Sequence, residues 1–349
     1  CGLRDAAPPA RHSPRNPSSV PFFSVIIPSR NRPEMLAEAV ASVLAQDFSD
    51  LEVIVVDDGS LPAIRPEDLG LAAWPDERVR IIKLDYQPRG RGPSYSRNIG
   101  VWASTGSYCA FLDDDDTWTS ATHLSRAHAC LTAAAYAPDI YLSNQTAYFP
   151  DERPPRQLWL YPLVERLRAE GRALEHGCFP VTIDDLVSAR GFSHLNTLIV
   201  SRSLFDQIGG LDEYISYEED MDFYYRAIGA AESIVLSPEI VARHNVPDRD
   251  AGANASTRIA YRHKMQMRLY LLDKLVDTTR SPAIAAYCNR YAANTLKMMA
   301  EQAVENAEYG VAGSMARRAL AREFSMKWLF YSVYLGARAQ FEGSRSYGG

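Results

Sequence analysis

Short, nearly continuous apolar runs constrain this chain more than any other feature. FFSVII (22–27), LEVIVV (51–56) and YCAFL (108–112) are apolar at almost every position, and RVRIIKL (78–84) reads as a third strand. A strand with one wet face alternates apolar and polar residues, whereas runs like these fit strands covered on both faces by helices. Helical patterns separate them. After the loop PSRNR, Pro33 suits a first helical turn, and Leu36, Val40, Val43 and Leu44 share one face. PSYSRNIGVWAS (93–104) and a stretch near 121–135 read as further helices. Strand–helix alternation of this kind predicts an α/β fold with a mostly parallel sheet and right-handed crossovers.

Beyond residue 140 the pattern continues less regularly. IYLSN, LNTLIVS (195–201), ESIVL and IVARHNV read as strands, and EEDMDFYYRAIGA (218–230) as a helix with an acid-rich first turn. The stretch 150–195 reads as an insertion or acceptor-side segment. From about 255 onward the chain reads as helical. Residues 1–21, rich in Pro, Arg and Ser, offer little to bury and are expected to be a disordered lead. The first residue is Cys1, without a Met, which suggests a piece or processed product, and no lipid modification is expected there.

A formal charge of −6 argues against nucleic acid as a partner. The five cysteines lack CxxC spacing, against a zinc site or disulfide framework and in favour of a reducing compartment. No run approaches the ~20 apolar residues of a membrane span. The sequons at Asn144 and Asn254 are short enough to be fortuitous.

In a parallel sheet, ligands bind outside the carboxyl ends of the strands. Here those ends carry PSR, DDGS and DDDD. The last is the sharpest signal: Asp113, Asp114, Asp115 and Asp116 follow a buried strand directly. Like charges about 4 Å apart repel by roughly 4 kcal/mol at an effective dielectric near 20. Water, protonation or a cation must relieve them. Hard carboxylate oxygens favour Mg²⁺ or Mn²⁺, ions that share their coordination with substrate phosphates. A metal-bridged diphosphate is the chemistry this predicts.

SVIIPSRNRPEMLAEAVASVLAQDFSDLEVIVVDDGS (24–60), GPSYSRNIGVWASTGSYCAFLDDDDTW (92–118), GGLDE (209–213) and EEDMDFYYR (218–226) resemble, in order and spacing, the inverting GT-A-fold glycosyltransferases of family 2. The resemblance covers roughly residues 22–246. It implies a GT-A-type, Rossmann-like sheet flanked by helices over 22–250, with a nucleotide-binding half (22–118), an acceptor and catalytic half (119–250) and a helical C-terminal region (251–349). It implies a nucleotide-sugar donor, with UDP the expected nucleotide, Mn²⁺ or Mg²⁺, and inversion at the anomeric carbon. Carried over residue by residue, Pro28 and Arg30 border the nucleotide, and one of Asp57 and Asp58, by preference Asp58, bonds the base. The bland reading of that pair is a turn and helix cap. Arg97 and Asn98 reach the ribose or diphosphate. Asp115 ligates the metal, Asp113 or Asp114 reaches the ribose or a metal-bound water, and Asp116 is peripheral. His244 completes the metal shell. Of Glu218, Glu219, Asp220 and Asp222, Asp220 is the general base, and Asp222 pairs with Arg226. Trp118 belongs to the core.

The acceptor is expected to be a hydroxyl-bearing glycan or a lipid-linked one, with the protein cytoplasmic or peripheral on the cytoplasmic membrane face. KWLFYSVYLGARAQF, after Arg317, Arg318, Arg322 and Lys327, could serve such a contact or simply pack. FLDDDDT also fits the nucleophile motif of haloacid-dehalogenase-type phosphatases, with Asp113 attacking phosphorus, but three strands precede it. A nucleotidyltransferase would need a Gly-rich loop after the first strand, and PSRNR is none. A non-catalytic nucleotide-sugar-binding module is the remaining alternative.

Overall fold

The computed structural model describes residues 20–70, 76–133, 137–151, 153–189, 191–246 and 259–346. The expected lead therefore lies, up to Ser19, outside the described residues, as does Asn254. Four parallel strands come first: β1 (Phe23–Ser29), β2 (Leu51–Asp57), β3 (Val79–Lys83) and β4 (Tyr108–Phe111). They lie in the order β3-β2-β1-β4, with Val25 opposite both Val53 and Ala110. Their side chains feed two separate cores. Val25, Ile27, Val53 and Val55 join one, together with Leu36, Ala39, Val40 and Val43 of α1 (Pro33–Leu44). Ile26, Ile54, Val56 and Phe111 point the other way, toward Val101 of α2 (Pro93–Ala103). Burial on both faces explains why β1, β2 and β4 lack polar alternation, whereas the edge strand β3 exposes Arg80 and Lys83.

The sheet continues through β9 (Leu198–Ser201), β6 (Ile140–Tyr148), β10 (Ile234–Asn245) and β5 (Thr117–Trp118). β9 is antiparallel to both β4 and β6, and β6 and β10 are parallel to each other. The sheet is thus mostly parallel with one reversed strand inside it. ESIVL and IVARHNV, two pieces in the sequence, are one strand, β10, broken by register shifts near Ile240. β7 (Arg156–Gln157) and β8 (Phe179–Pro180) attach at its margins. Carboxyl ends of β1, β2, β4, β6 and β10 therefore all face one edge.

Around the sheet lie α3 (His123–Ala133), α4 (Tyr161–Ala169), α5 (Ile183–Ser188), α6 (Arg202–Gln207) and α7 (Glu219–Ala230). Helices follow: α8 (Tyr261–Thr278), α9 (Pro282–Glu305), α10 (Tyr309–Arg322) and α11 (Met326–Ser346). Leu271, Leu272 and Leu275 of α8 and Ile284, Cys288 and Leu296 of α9 enter the same core as Phe111 and Phe223. A third cluster, including Ala300, Ala316, Trp328 and Leu335, joins α9, α10 and α11. No described helix is long and apolar enough to cross a membrane.

Candidate active site

β1 delivers Ser29, Arg30 and Arg32 to the sheet edge. Ser29 Oγ donates to Asp114 Oδ2 at 2.7 Å. Arg32 Nη1 lies 3.1 Å from Asp114 Oδ1 and 3.0 Å from Asp115 Oδ2. From α2, the buried Arg97 places Nη2 2.5 Å from Asp113 Oδ1 and Nη1 3.3 Å from Glu219 Oε1. One guanidinium thus ties the acidic run to the start of α7, and its buried Nε has no hydrogen-bond partner among the described residues. Among the described residues Asp220 makes no ion pair, and its carboxylate accepts the N–H of Met221 at 2.8 Å.

The acidic run is no solvated turn. Asp116 is fully buried, a correction to the peripheral place expected of it. It accepts the Asn245 N–H at 2.7 Å, the Asn196 amide, and a contact from His244 Nδ1 at 2.7 Å. Asn196 also accepts the Asp113 N–H at 2.9 Å, fixing the turn after β4. His194 Nε2 stands 3.8 Å from Asp113 Oδ2, with its ring 4.8 Å from that of His244. Trp118 is core, as expected, its Nε1–H donating to the Asn196 carbonyl at 2.9 Å.

Crowding is visible in the acidities. Burial first, then Asp113, Asp116 and Asp114, raise Asp115 to about 7 against the pull of Arg32. Burial also raises Asp114. At Asp113 burial works upward, but Arg97 and His194 outweigh it and hold the carboxyl below its usual range. Burial and His244 lower His194 to about 4. For His244 burial works downward, yet its bond to Asp116 leaves it raised. Burial, with Glu219 and Glu218 behind it, raises Asp220. A cation among the aspartates would relieve their mutual repulsion. The donor set fits one: single ligand atoms of Asp113, Asp115 and Asp116 lie within 4.8 Å of one another, as do those of Asp116, His194 and His244. Carboxylate oxygens with imidazole suit Mn²⁺; an all-oxygen subset suits Mg²⁺.

Two expected site residues are engaged elsewhere. Asp57 caps the following loop, its oxygens accepting the N–H groups of Ser60 at 2.8 Å and Ile64 at 2.9 Å. Asn98 bonds the GGLDE turn at both ends of its amide, donating to the Leu211 carbonyl and accepting the Leu211 N–H, each at 2.9 Å. Both side chains are buried among these partners. Asp58 instead faces the 86–92 loop and accepts the N–H of Arg91 at 2.8 Å and of Gly92 at 3.0 Å. Arg30 donates to the Asp58 carbonyl and, at 2.7 Å, to that of Gln87. Pro28 sits half-buried in β1 opposite Val56, two residues before Arg30.

In α7's first turn, Glu218 takes a left-handed backbone, φ 61°, and pairs with Arg268 of α8. Asp222 pairs with Arg226, as expected, and with Lys274 at 2.9 Å. Both acids are thus paired with cations of α7 and α8. Arg32, His194 and Asn196 escaped sequence reading. Arg32 shares a loop with Arg30 and offered some signal; His194 and Asn196 stand in no motif and meet the acidic run only through the tertiary fold.

The family model described as Glycosyl transferase family 2 matches residues 24–150. The succinoglycan biosynthesis protein ExoW of Rhizobium meliloti (strain 1021) is 31% identical over 219 residues, 61% of this chain and 66% of that protein. The chain belongs to glycosyl transferase family 2. A second family relative, the GalNAc(5)-diNAcBac-PP-undecaprenol beta-1,3-glucosyltransferase of Campylobacter jejuni, is 36% identical over 97 residues, 28% of this chain and 30% of that one. The chain thus spans about two thirds of one relative's length and under a third of the other's. Among solved structures, S. aureus TarS in complex with UDP-GlcNAc superposes with TM-score 0.62 at 18% identity, over 90% of this chain and 87% of that one. Mannosyltransferase PcManGT from Pyrobaculum calidifontis, in complex with GDP-Man and Mn²⁺, gives 0.54 at 16% identity, over 95% and 84%. The fold of this family 2 member is GT-A, with a helical C-terminal extension.

Proposed function

We propose that this protein is an inverting glycosyltransferase. It moves a sugar from a nucleotide-diphosphate donor to an acceptor hydroxyl in polysaccharide or glycan assembly. The observation that carries the reading is Arg97, which joins the Asp113 carboxylate to the start of α7 where Asp220 stands. On this reading the diphosphate and the acceptor base would flank one guanidinium.

Each part has a role on this reading. Asp58 and Arg30, at the 86–92 loop, hold the nucleoside, with Pro28 behind them. The unpartnered Nε of Arg97 supports its contact with the diphosphate. Asp113 or Asp114 orients the ribose. Asp115, Asp116, His194 and His244 would hold Mn²⁺ or Mg²⁺, which when bound supplies positive charge to the leaving diphosphate. Asp220 takes the proton from the acceptor oxygen as that oxygen bonds the anomeric carbon, on the face opposite the departing group, so configuration inverts. A carboxyl raised by burial is a stronger base than a solvated one, as this step requires. UDP-GlcNAc in TarS and GDP-Man with Mn²⁺ in PcManGT support the donor class. The name of the Campylobacter relative supports a lipid-linked acceptor. The outward apolar face of α11 supports peripheral contact with the membrane carrying it.

The phosphatase alternative, with Asp113 attacking phosphorus, fits poorly, because Arg97 and His194 hold that oxygen pair. A thermal-shift screen of UDP-, GDP- and dTDP-sugars, with and without Mn²⁺, tests the proposal. One donor should raise the melting temperature only with the ion and release its nucleotide on incubation. Binding without release would make the protein a non-catalytic module.

A further inference from the structure

Next to the acidic centre, the surface between segment 158–192 and α9 is hollowed into adjoining cavities of about 590 and 400 Å³. Both include Tyr287 and Arg290, so they form one groove. The larger is walled by Trp159, Phe192 and Tyr291, with Asn294 at its rim. The smaller adds Asp184 and Ser188 of α5. Its inner end meets the chemistry. Met221, which lines it, follows Asp220 directly, and the Trp159 ring lies 5.4 Å from that of His244 and 6.0 Å from that of His194. Trp159 holds a left-handed backbone, φ 60°, a conformation a bulky residue takes only where its surroundings impose it.

The lining has a particular chemistry. Aromatic side chains line it together with a few hydrogen-bonding groups, Asp184, Ser188, Arg290 and Asn294. A pyranose ring presents an apolar C–H face to such aromatics and hydroxyls to an amide, a guanidinium and a carboxylate. A polyphosphate would want several cations, and the groove's described cation, Arg290, already stands 3.5 Å from Glu323. A prenyl chain would offer no hydrogen bond to Asp184 and Asn294. Each cavity alone falls in the ~300–1,000 Å³ range of small-ligand sites, so an occupant filling both is longer than one sugar.

We propose that this groove binds the acceptor as an extended oligosaccharide. The sugar bearing the attacked hydroxyl lies between Trp159 and Met221, and the preceding residues run over Tyr291 and Tyr287 toward Asp184. This rests on the transferase reading above and adds to it that α9, in the helical C-terminal region, selects the acceptor.

Saturation-transfer NMR tests it on the full chain, with gluco-, galacto- and N-acetylglucosamine oligosaccharides of one to four residues. At least one series should bind about tenfold tighter at three or four residues than at one. Asn294→Ala and Tyr291→Ala should each remove that gain, and Tyr291→Phe should keep it. The thermal shift with nucleotide and Mn²⁺ should be the same in all three variants, which guards against misfolding. Binding that ignores length in every series, or ignores Asn294→Ala and Tyr291→Ala, overturns the proposal. So does farnesyl phosphate binding that those two substitutions abolish, since the groove would then hold a prenyl chain. Mn²⁺-dependent hydrolysis of donor by the unaltered protein is measured alongside. Its absence removes the transferase reading, whereas its presence with an indifferent groove removes this inference alone.

Discussion

Asp220 and Glu219 are neighbours with different surroundings. Glu219 faces Arg97 at 3.3 Å, whereas burial and two flanking carboxylates raise Asp220. General-base catalysis is worth roughly 10²–10⁴ in rate. We therefore expect Asp220→Asn to lose transfer by about that factor while donor affinity, read by thermal shift, stays put. Near-normal turnover in that variant would move the base elsewhere. His123 offers a test away from the site. It is 1% exposed, packed 4.8 Å from the Trp118 ring, and burial lowers it to about 3 from 6.5. The unfolded chain takes up a proton below pH 6.5 that the folded state refuses until near pH 3. Stability is thus complete above 6.5 and falls as pH drops, by up to about 1.4 kcal/mol per unit. Urea titrations of His123→Leu between pH 8 and 5 should show a slope shallower than the parent's by up to one proton. Identical slopes would refute it.

Close packing of α2 on the sheet is what holds Arg97 at the carboxyl edge. Gly100 makes it possible: a Cβ there would stand 2.4 Å from Ile26 Cγ2 and 3.2 Å from Val56 Cγ2. Those atoms belong to β1 and β2 in the middle of the core. Gly100→Ala should destabilise by about 1–3 kcal/mol, the usual cost of overpacking, and should weaken nucleotide binding as Arg97 shifts. Unchanged stability by denaturant titration would mean the helix can slide. α7 is anchored differently, through Glu218 to Arg268 and through Asp222 to Lys274. α8 therefore fixes the start of α7, where Asp220 stands, as well as covering the core.

Across the molecule, α11 packs Trp328 and Leu335 inward and turns Phe330, Val333 and Tyr334 outward, at 68%, 66% and 51% exposure. Lys327 stands beside that outer face. An apolar stripe with cationic flanks suits the interface of an anionic bilayer. On this reading the protein co-sediments with vesicles containing phosphatidylglycerol, and Phe330→Glu with Val333→Glu reduces the bound fraction by at least about tenfold, as lost apolar burial and added charge both act. No difference between parent and double variant would show that the stripe serves another contact.

The sequence by itself determined the parallel strands, because runs buried on both faces have no polar alternation to blur them, and the chemistry at their ends. It also read Asp222 with Arg226, a pair set by helical spacing. What only the tertiary structure decided is which partners each polar group finds. Asp57 and Asp58 are adjacent and alike, yet one is taken up by Ser60 and Ile64 and the other faces the 86–92 loop. Asp116 became a buried hub, and His194 and Asn196 joined the run from about 80 residues away in the chain. Hydrogen-bond satisfaction depends on partners brought from distant elements, and no local pattern encodes it.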